Sequence, residues 1–263
     1  MGSGIQEKGK PMSTSIEIAV ACTWFQKRLN WMASSILQQV GDVPRLTFSV
    51  AYPKNNGNPT TEDVCKYFRE KGLNIKEFPY PDEKEIQFRG LVRNRQLAAS
   101  EAEWMLFSDS DMVYDSHFFE DLGKKLEGDL KDETRCISAS RISLAKDYSK
   151  DFFNSIDKTV YPSEIPNAAS IVEQWPVFQI SRNCGAGYFQ LANVASLRKL
   201  HNGLYVDPND CADRAEFDDI HKTKSDHQFR HMVGGIKRIH TLPQYHLNHS
   251  RDNEVGYHLT EQR

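Results

Sequence analysis

Two carboxylates spaced i, i+2 carry the first hint of chemistry. Asp109 and Asp111 follow directly on the apolar run Trp104-Met105-Leu106-Phe107. Like charges this close need a counter-charge. A hard divalent cation, Mg²⁺ or Mn²⁺, is the usual one, because it takes one or two carboxylates together with phosphate oxygens. The alternative is a solvated turn with two surface acids. Upstream lies a cationic group, Arg93-Asn94-Arg95. Its guanidinium groups could reach a diphosphate held by such a metal, or pair with Glu101, Glu103 or the Asp pair.

The elements that must position these groups follow from pattern. A short apolar run bounded by polar residues reads as a buried strand. Asp109 and Asp111 then sit at its C-terminal end, the edge where open α/β sheets bind ligands. Leu91, Leu97, Ala98 and Ala102 suit one apolar face, so a helix carrying Arg93 and Arg95 in its first turns feeds into that strand. Before it come a strand over Ile16–Ala21, a helix over Leu29–Val40 and a strand over Leu46–Tyr52. A helix over Thr61–Lys71, with Thr61 as N-cap, and a strand over Leu73–Tyr80 follow. Glu83–Phe88 reads as a linker. The first half is therefore βαβαβαβ, a Rossmann-like half sheet.

After the Asp pair, a helix is expected over His117–Leu130 and a strand over Arg135–Leu144. Residues 145–181 carry Pro162, Pro166 and Pro176 and show no sustained periodicity, and they read as an acceptor-side binding loop. Gly185 and Gly187 allow close backbone approach before the next strand. Val194–His201 reads as a short helix, and the acidic stretch 207–219 as a solvated face. Ser225 and Asp226 stand where another helix begins. Gly234-Gly235 end that helix, and a strand starts at Ile236.

With these residues in view, the segment GLVRNRQLAASEAEWMLFSDSDM resembles the centre of GT-A glycosyltransferases, especially the large inverting family 2. That family shows a Gly, an Arg-Asn pair on a helix, and an apolar strand ending in Asp-x-Asp. Here these are Gly90, Arg93-Asn94, Trp104 to Phe107, and Asp109/Asp111. The resemblance implies an α/β fold of GT-A type: one domain over residues 12–263, with a nucleotide-sugar half (12–115) and an acceptor half (116–263). It implies a nucleotide-diphosphate sugar donor, a UDP-sugar foremost, with Mn²⁺ or Mg²⁺. The turn after the first strand would hold the base, through Thr23, Trp24 and Phe25; either aromatic could instead be core. Arg28 would reach phosphate or be plainly exposed. The family usually places an Asp at the end of the second strand; Tyr52-Pro53-Lys54-Asn55 stands there instead, so Tyr52 takes that position. Gly187 would border the donor sugar.

The same resemblance extends to SDHQFRHMVGGIKRIHTLP. Asp226 matches the family's general base, with Ser225 in place of its Glu; a helix cap is the plainer role for Asp226. His249 matches the C-terminal metal ligand best, with His246 as second choice. The metal set is then Asp111, His249 and, through water, Asp109.

The chain has 263 residues and a formal net charge of -3. No long basic run points to nucleic acid, although a nucleic-acid acceptor stays within the class. No apolar run approaches the ~20 residues that span a bilayer, and no signal-peptide pattern is present. A cytoplasmic protein follows as the expectation. The five cysteines form no C-x-x-C pair, and Cys184 reads as a small buried side chain. Residues 1–11 read as an appended tag or loose tail. The acceptor is a glycan, a glycoconjugate or another hydroxyl-bearing molecule. Two rivals remain. One is a haloacid-dehalogenase-like phosphatase, whose nucleophile motif also fits Asp109-x-Asp111. The other is a catalytically silent GT-A domain that binds nucleotide sugar or glycan.

Overall fold

The computed structural model describes residues 13–23, 26–54, 60–81, 83–144, 177–181, 188–200, 202–206 and 229–246. The chain opens with β1 (Ser15–Ala21), α1 (Gln26–Leu37), β2 (Arg45–Pro53), α2 (Thr61–Glu70) and β3 (Ile75–Tyr80). Then come α3 (Glu83–Gln87), α4 (Arg89–Ala98), β4 (Trp104–Ser108), β5 (Met112–Val113) and α5 (Phe118–Glu127). β6 (Cys136–Leu144), β7 (Val177–Ser181), β8 (Phe189–Asn193), α6 (Val194–Leu200) and β9 (Ile236–His246) complete the order.

The described strands make one nine-stranded sheet, β3-β2-β1-β4-β8-β6-β9-β5, with β7 paired to β6 off that path. β3, β2, β1 and β4 are mutually parallel, as βα repeats require. β8 then runs antiparallel to β4, and β5 antiparallel to β9. The expected half sheet is thus present and continues into a mixed half.

Burial explains why β4 is apolar throughout. Trp104 and Leu106 face one core cluster with Ile16, Ile18 and Phe48. Met105 and Phe107 face another, with Leu97, Tyr205 and Phe229. A strand covered on both faces has no polar side to show. It turns polar only at its end.

Several local expectations are corrected. The cap of α2 is Thr60, not Thr61: its side chain accepts from the Asp63 N–H, and the Asp63 carboxylate accepts from the Thr60 N–H. That reciprocal box satisfies donors the helix leaves open. Glu83–Gln87 is a short helix rather than a linker. The inward face of α4 is Gly90, Val92, Arg93, Gln96 and Leu97, whereas Ala98 is exposed and Ala102 lies beyond the helix. Two long polar side chains replace the expected alanines because they have buried partners. The stretch 145–181 is not loop to its end, since 177–181 pairs with β6. The last strand runs on through His246. Gly234 and Gly235, at φ 73° and 107°, end the preceding helical stretch as read. None of the helices among the described residues is long and apolar enough to cross a membrane.

Candidate active site

The turn after β4 is held by a serine. The Ser108 hydroxyl bonds to the Tyr188 carbonyl at 3.0 Å and to the Tyr114 hydroxyl at 3.1 Å. One hydroxyl carries one proton, so Ser108 donates to the carbonyl and Tyr114 donates to Ser108. These bonds tie the Asp-Ser-Asp turn to β8 on one side and to the start of α5 on the other. Burial pushes the Tyr114 phenol well above its ordinary range; the charges of Asp109 and Asp111 add to this, against the Ser108 hydrogen bond.

The two aspartates have different surroundings. Asp111 is largely buried, and its Oδ2 lies 3.3 Å from His246 Nε2. β9 brings this about: His246 pairs with Met112 in the β5–β9 ladder, directly beside Asp111. A carboxylate and an imidazole at this distance share a hydrogen bond or, with their lone pairs turned on one cation, supply two ligands. An oxygen and a nitrogen donor fit Mn²⁺ or Mg²⁺. Among the described residues no group of three His, Cys, Asp or Glu side chains gathers around a metal position. Asp109 is more open, and its Oδ1 lies 3.7 Å from Arg89 Nη1.

The Arg-Asn pair of α4 is committed inward. Arg93 is buried; its guanidinium donates to the Tyr205 hydroxyl at 2.5 Å and to Gln190 Oε1 at 3.4 Å. It also lies over the rings of Phe107 and Tyr205. Asn94 Oδ1 accepts from the Tyr205 and Val206 N–H groups, and its Nδ2 donates to the Val206 carbonyl. Together they pin residues 205–206 under the strand end. Tyr205 in turn stacks on Phe229 at 4.2 Å between centroids. Gln96, next along that face, bonds to the Val20 and Ser49 carbonyls at 3.1 and 3.0 Å, fixing α4 against β1 and β2.

Of the other sequence candidates, Tyr52, Arg28 and Thr23 are described. Tyr52 is a core residue; its hydroxyl donates to Glu77, which is paired with Arg69. Arg28 is buried on α1, and Thr23 is half-buried just past β1. Trp24, Phe25, Gly187, Asp226 and His249 lie outside the described residues. So do Cys184 and the acidic stretch 207–219.

Sequence reasoning missed Arg89, Tyr114, Arg141 and Gln244. Arg89 did leave a signal. It opens α4, and the first turn holds no acid. A cation at a helix N-terminus opposes the helix dipole, so it needs another reason to be there. Arg141 and Gln244 left none, because their strands read as ordinary β.

No family model matches the chain, and no curated protein sequence matches it. Solved structures do. Crystal structures of S. aureus TarS residues 1–349 superimpose with TM-scores of 0.56 in complex with UDP-GlcNAc and 0.55 in complex with UDP. Identity is 15% in both, over 90% and 93% of this chain. This is a GT-A glycosyltransferase fold. The mannosyltransferase PcManGT from Pyrobaculum calidifontis, in complex with GDP-Man and Mn²⁺, agrees at TM-score 0.51 and 14% identity over 95% of this chain. The chain spans only 37% of the longer TarS structure and 59–63% of the 1–349 and PcManGT chains.

Proposed function

We propose that the protein is a metal-dependent glycosyltransferase of the inverting family 2 kind, moving a sugar from a nucleotide-diphosphate donor to an acceptor hydroxyl. The observation that carries this reading is the Asp111–His246 pair, 3.3 Å apart at the strand end that follows a parallel half sheet. Two of the solved structures named above are complexes with nucleotide sugars, one of them with Mn²⁺ as well. In this reading Asp111 and His246 hold the divalent cation, and Asp109 reaches it through water. His249, matched from sequence, is the alternative third ligand. When bound, the metal supplies Lewis-acid neutralisation of the leaving diphosphate.

The chain's own groups do the rest. Arg89, the exposed guanidinium beside Asp109, adds charge-assisted hydrogen bonds to the diphosphate. Arg93 and Asn94 act as positioning residues, since both are spent on 205–206. Tyr52 makes no donor contact in this account and serves the core. Thr23, Trp24, Phe25, Arg28 and Gly187 remain candidates for the nucleotide and sugar. Asp226 takes the proton of the acceptor hydroxyl as it attacks the anomeric carbon from the face opposite the diphosphate, which inverts that centre. A well-placed general base contributes roughly 10²–10⁴-fold in rate. The support for Asp226 is its match in sequence to the family's general base, within SDHQFRHMVGGIKRIHTLP. The donor half is 12–115 and the acceptor half 116–263.

The phosphatase reading needs the Asp109 strand to open the fold, whereas β4 follows three strands and lies between β1 and β8. The test is transfer from UDP- and GDP-sugars by the Asp226→Asn variant. Loss of transfer with unchanged donor affinity is expected. Retained transfer, or loss of donor affinity with normal turnover, contradicts the base assignment.

A further inference from the structure

Gln244 is fully buried, yet neither its Oε1 nor its Nε2 has a hydrogen-bond partner. Leaving a buried amide unbonded is costly, and native structures rarely tolerate it without a reason. Opposite Gln244 in the β6–β9 ladder is Arg141. Its guanidinium lies 4.7 Å over the Tyr188 ring, and its buried Nε has no acceptor. Among the described residues it forms no ion pair.

Position makes this pair informative. Gln244 and His246 are i, i+2 on one strand, so both point to the same face of β9. The two residues stand about 6.6 Å apart along the strand. β9 is irregular just before them: the register with β6 shifts between Ala139 and Arg141, which puts Pro243, lacking an N–H, in the irregular stretch. Tyr188, beneath Arg141, is the residue whose carbonyl receives the Ser108 hydrogen bond. Gln244, with Arg141 opposite it, therefore stands one strand repeat from His246, and Tyr188 links Arg141 to the turn that carries Asp111.

We infer that Gln244 and Arg141 form the subsite for the sugar carried on the diphosphate and set which sugar is accepted. This rests on the donor reading above. An amide offers one acceptor and two donors, which suits adjacent sugar hydroxyls. The guanidinium adds fixed donors on a plane already held by Tyr188. A span of one strand repeat from the metal pair suits a sugar whose diphosphate is held at Asp111 and His246. It also explains an amide left without a protein partner.

The test compares equilibrium binding of UDP, GDP, UDP-GlcNAc and GDP-mannose, all with Mn²⁺, to the wild type, Gln244→Met and Arg141→Met. Melting temperatures of the free proteins are measured alongside. Gln244→Met keeps length and volume while removing the amide. The expected result is an unchanged or higher melting temperature, unchanged affinity for the diphosphates, and about tenfold weaker binding of the nucleotide sugar that the wild type holds. Arg141→Met should act in the same direction. Nucleotide-sugar affinity unchanged in both variants overturns the subsite while leaving the donor reading intact. So does a marked fall in melting temperature for Gln244→Met, because the amide would then be bonded inside the protein. A wild type that binds no diphosphate overturns the donor reading and the subsite with it.

Discussion

Asp111 and His246 differ from every other acidic and imidazole pair in the described chain by their place at the end of β4. Their neighbour Tyr114 reports on the same site. Its phenol is raised above the ordinary 10.0 chiefly by burial, with Asp109 and Asp111 contributing. A raised folded-state value means that the folded protein keeps a proton the unfolded chain gives up. That stability is whole below pH 10.0 and is lost as pH climbs through the folded value. Urea midpoints measured from neutral to about pH 11 should therefore fall on the alkaline side. Tyr52, Tyr80, Tyr245 and Cys65 are raised by burial too, so Tyr114→Phe should make that fall shallower without removing it, and an equally steep fall in the variant would show that Tyr114 has no share in it. Replacing His246 by Ala should weaken Mn²⁺-dependent nucleotide binding more than replacing His249 does. The reverse order would move the ligand to His249.

Elements rather than single residues decided what could be read from sequence. β4 was legible because a strand buried on both faces must be apolar from Trp104 to Phe107, and its polar end is then abrupt. β1 and β2 were legible for much the same reason, whereas β3, a half-buried edge strand, was legible from the Pro79-x-Pro81 turn that ends it. The inward face of α4 was not. Arg93, Gln96 and Asn94 look like solvent residues until their hydrogen-bond partners, Tyr205, Gln190, Val20 and the 205–206 backbone, are known, and those come from distant parts of the chain. That His246 reaches Asp111 is not legible in the sequence, because the length of β9 depends on pairing with β5 and β6, which local periodicity does not report. Thr60 was passed over as a cap for a simpler reason: two threonines are adjacent, and only the geometry tells which hydroxyl meets the Asp63 N–H. Thr60→Ala should cost about 1 kcal/mol of unfolding free energy, read from urea titration. An unchanged unfolding free energy in Thr60→Ala would show that the capping box does not contribute.

At the scale of the molecule, the sheet joins a parallel half, β3-β2-β1-β4, to a mixed half, β8-β6-β9-β5, and the Asp turn falls where they meet. The parallel half fixes the strand end at which Asp109 and Asp111 emerge. The mixed half returns β9 past that end and delivers His246 and Gln244. Neither half supplies the site alone. The proposed function requires this junction to bind a nucleoside diphosphate through a divalent cation. The most direct measurement is the shift in melting temperature with UDP, GDP, CDP, ADP and dTDP, each with Mn²⁺ and with EDTA, for the wild type and Asp111→Ala. A ligand that binds only the folded chain raises that temperature. The expected result is a rise with at least one diphosphate in Mn²⁺, absent in EDTA and absent in Asp111→Ala. No rise with any of them, or a rise that survives both EDTA and Asp111→Ala, would contradict it.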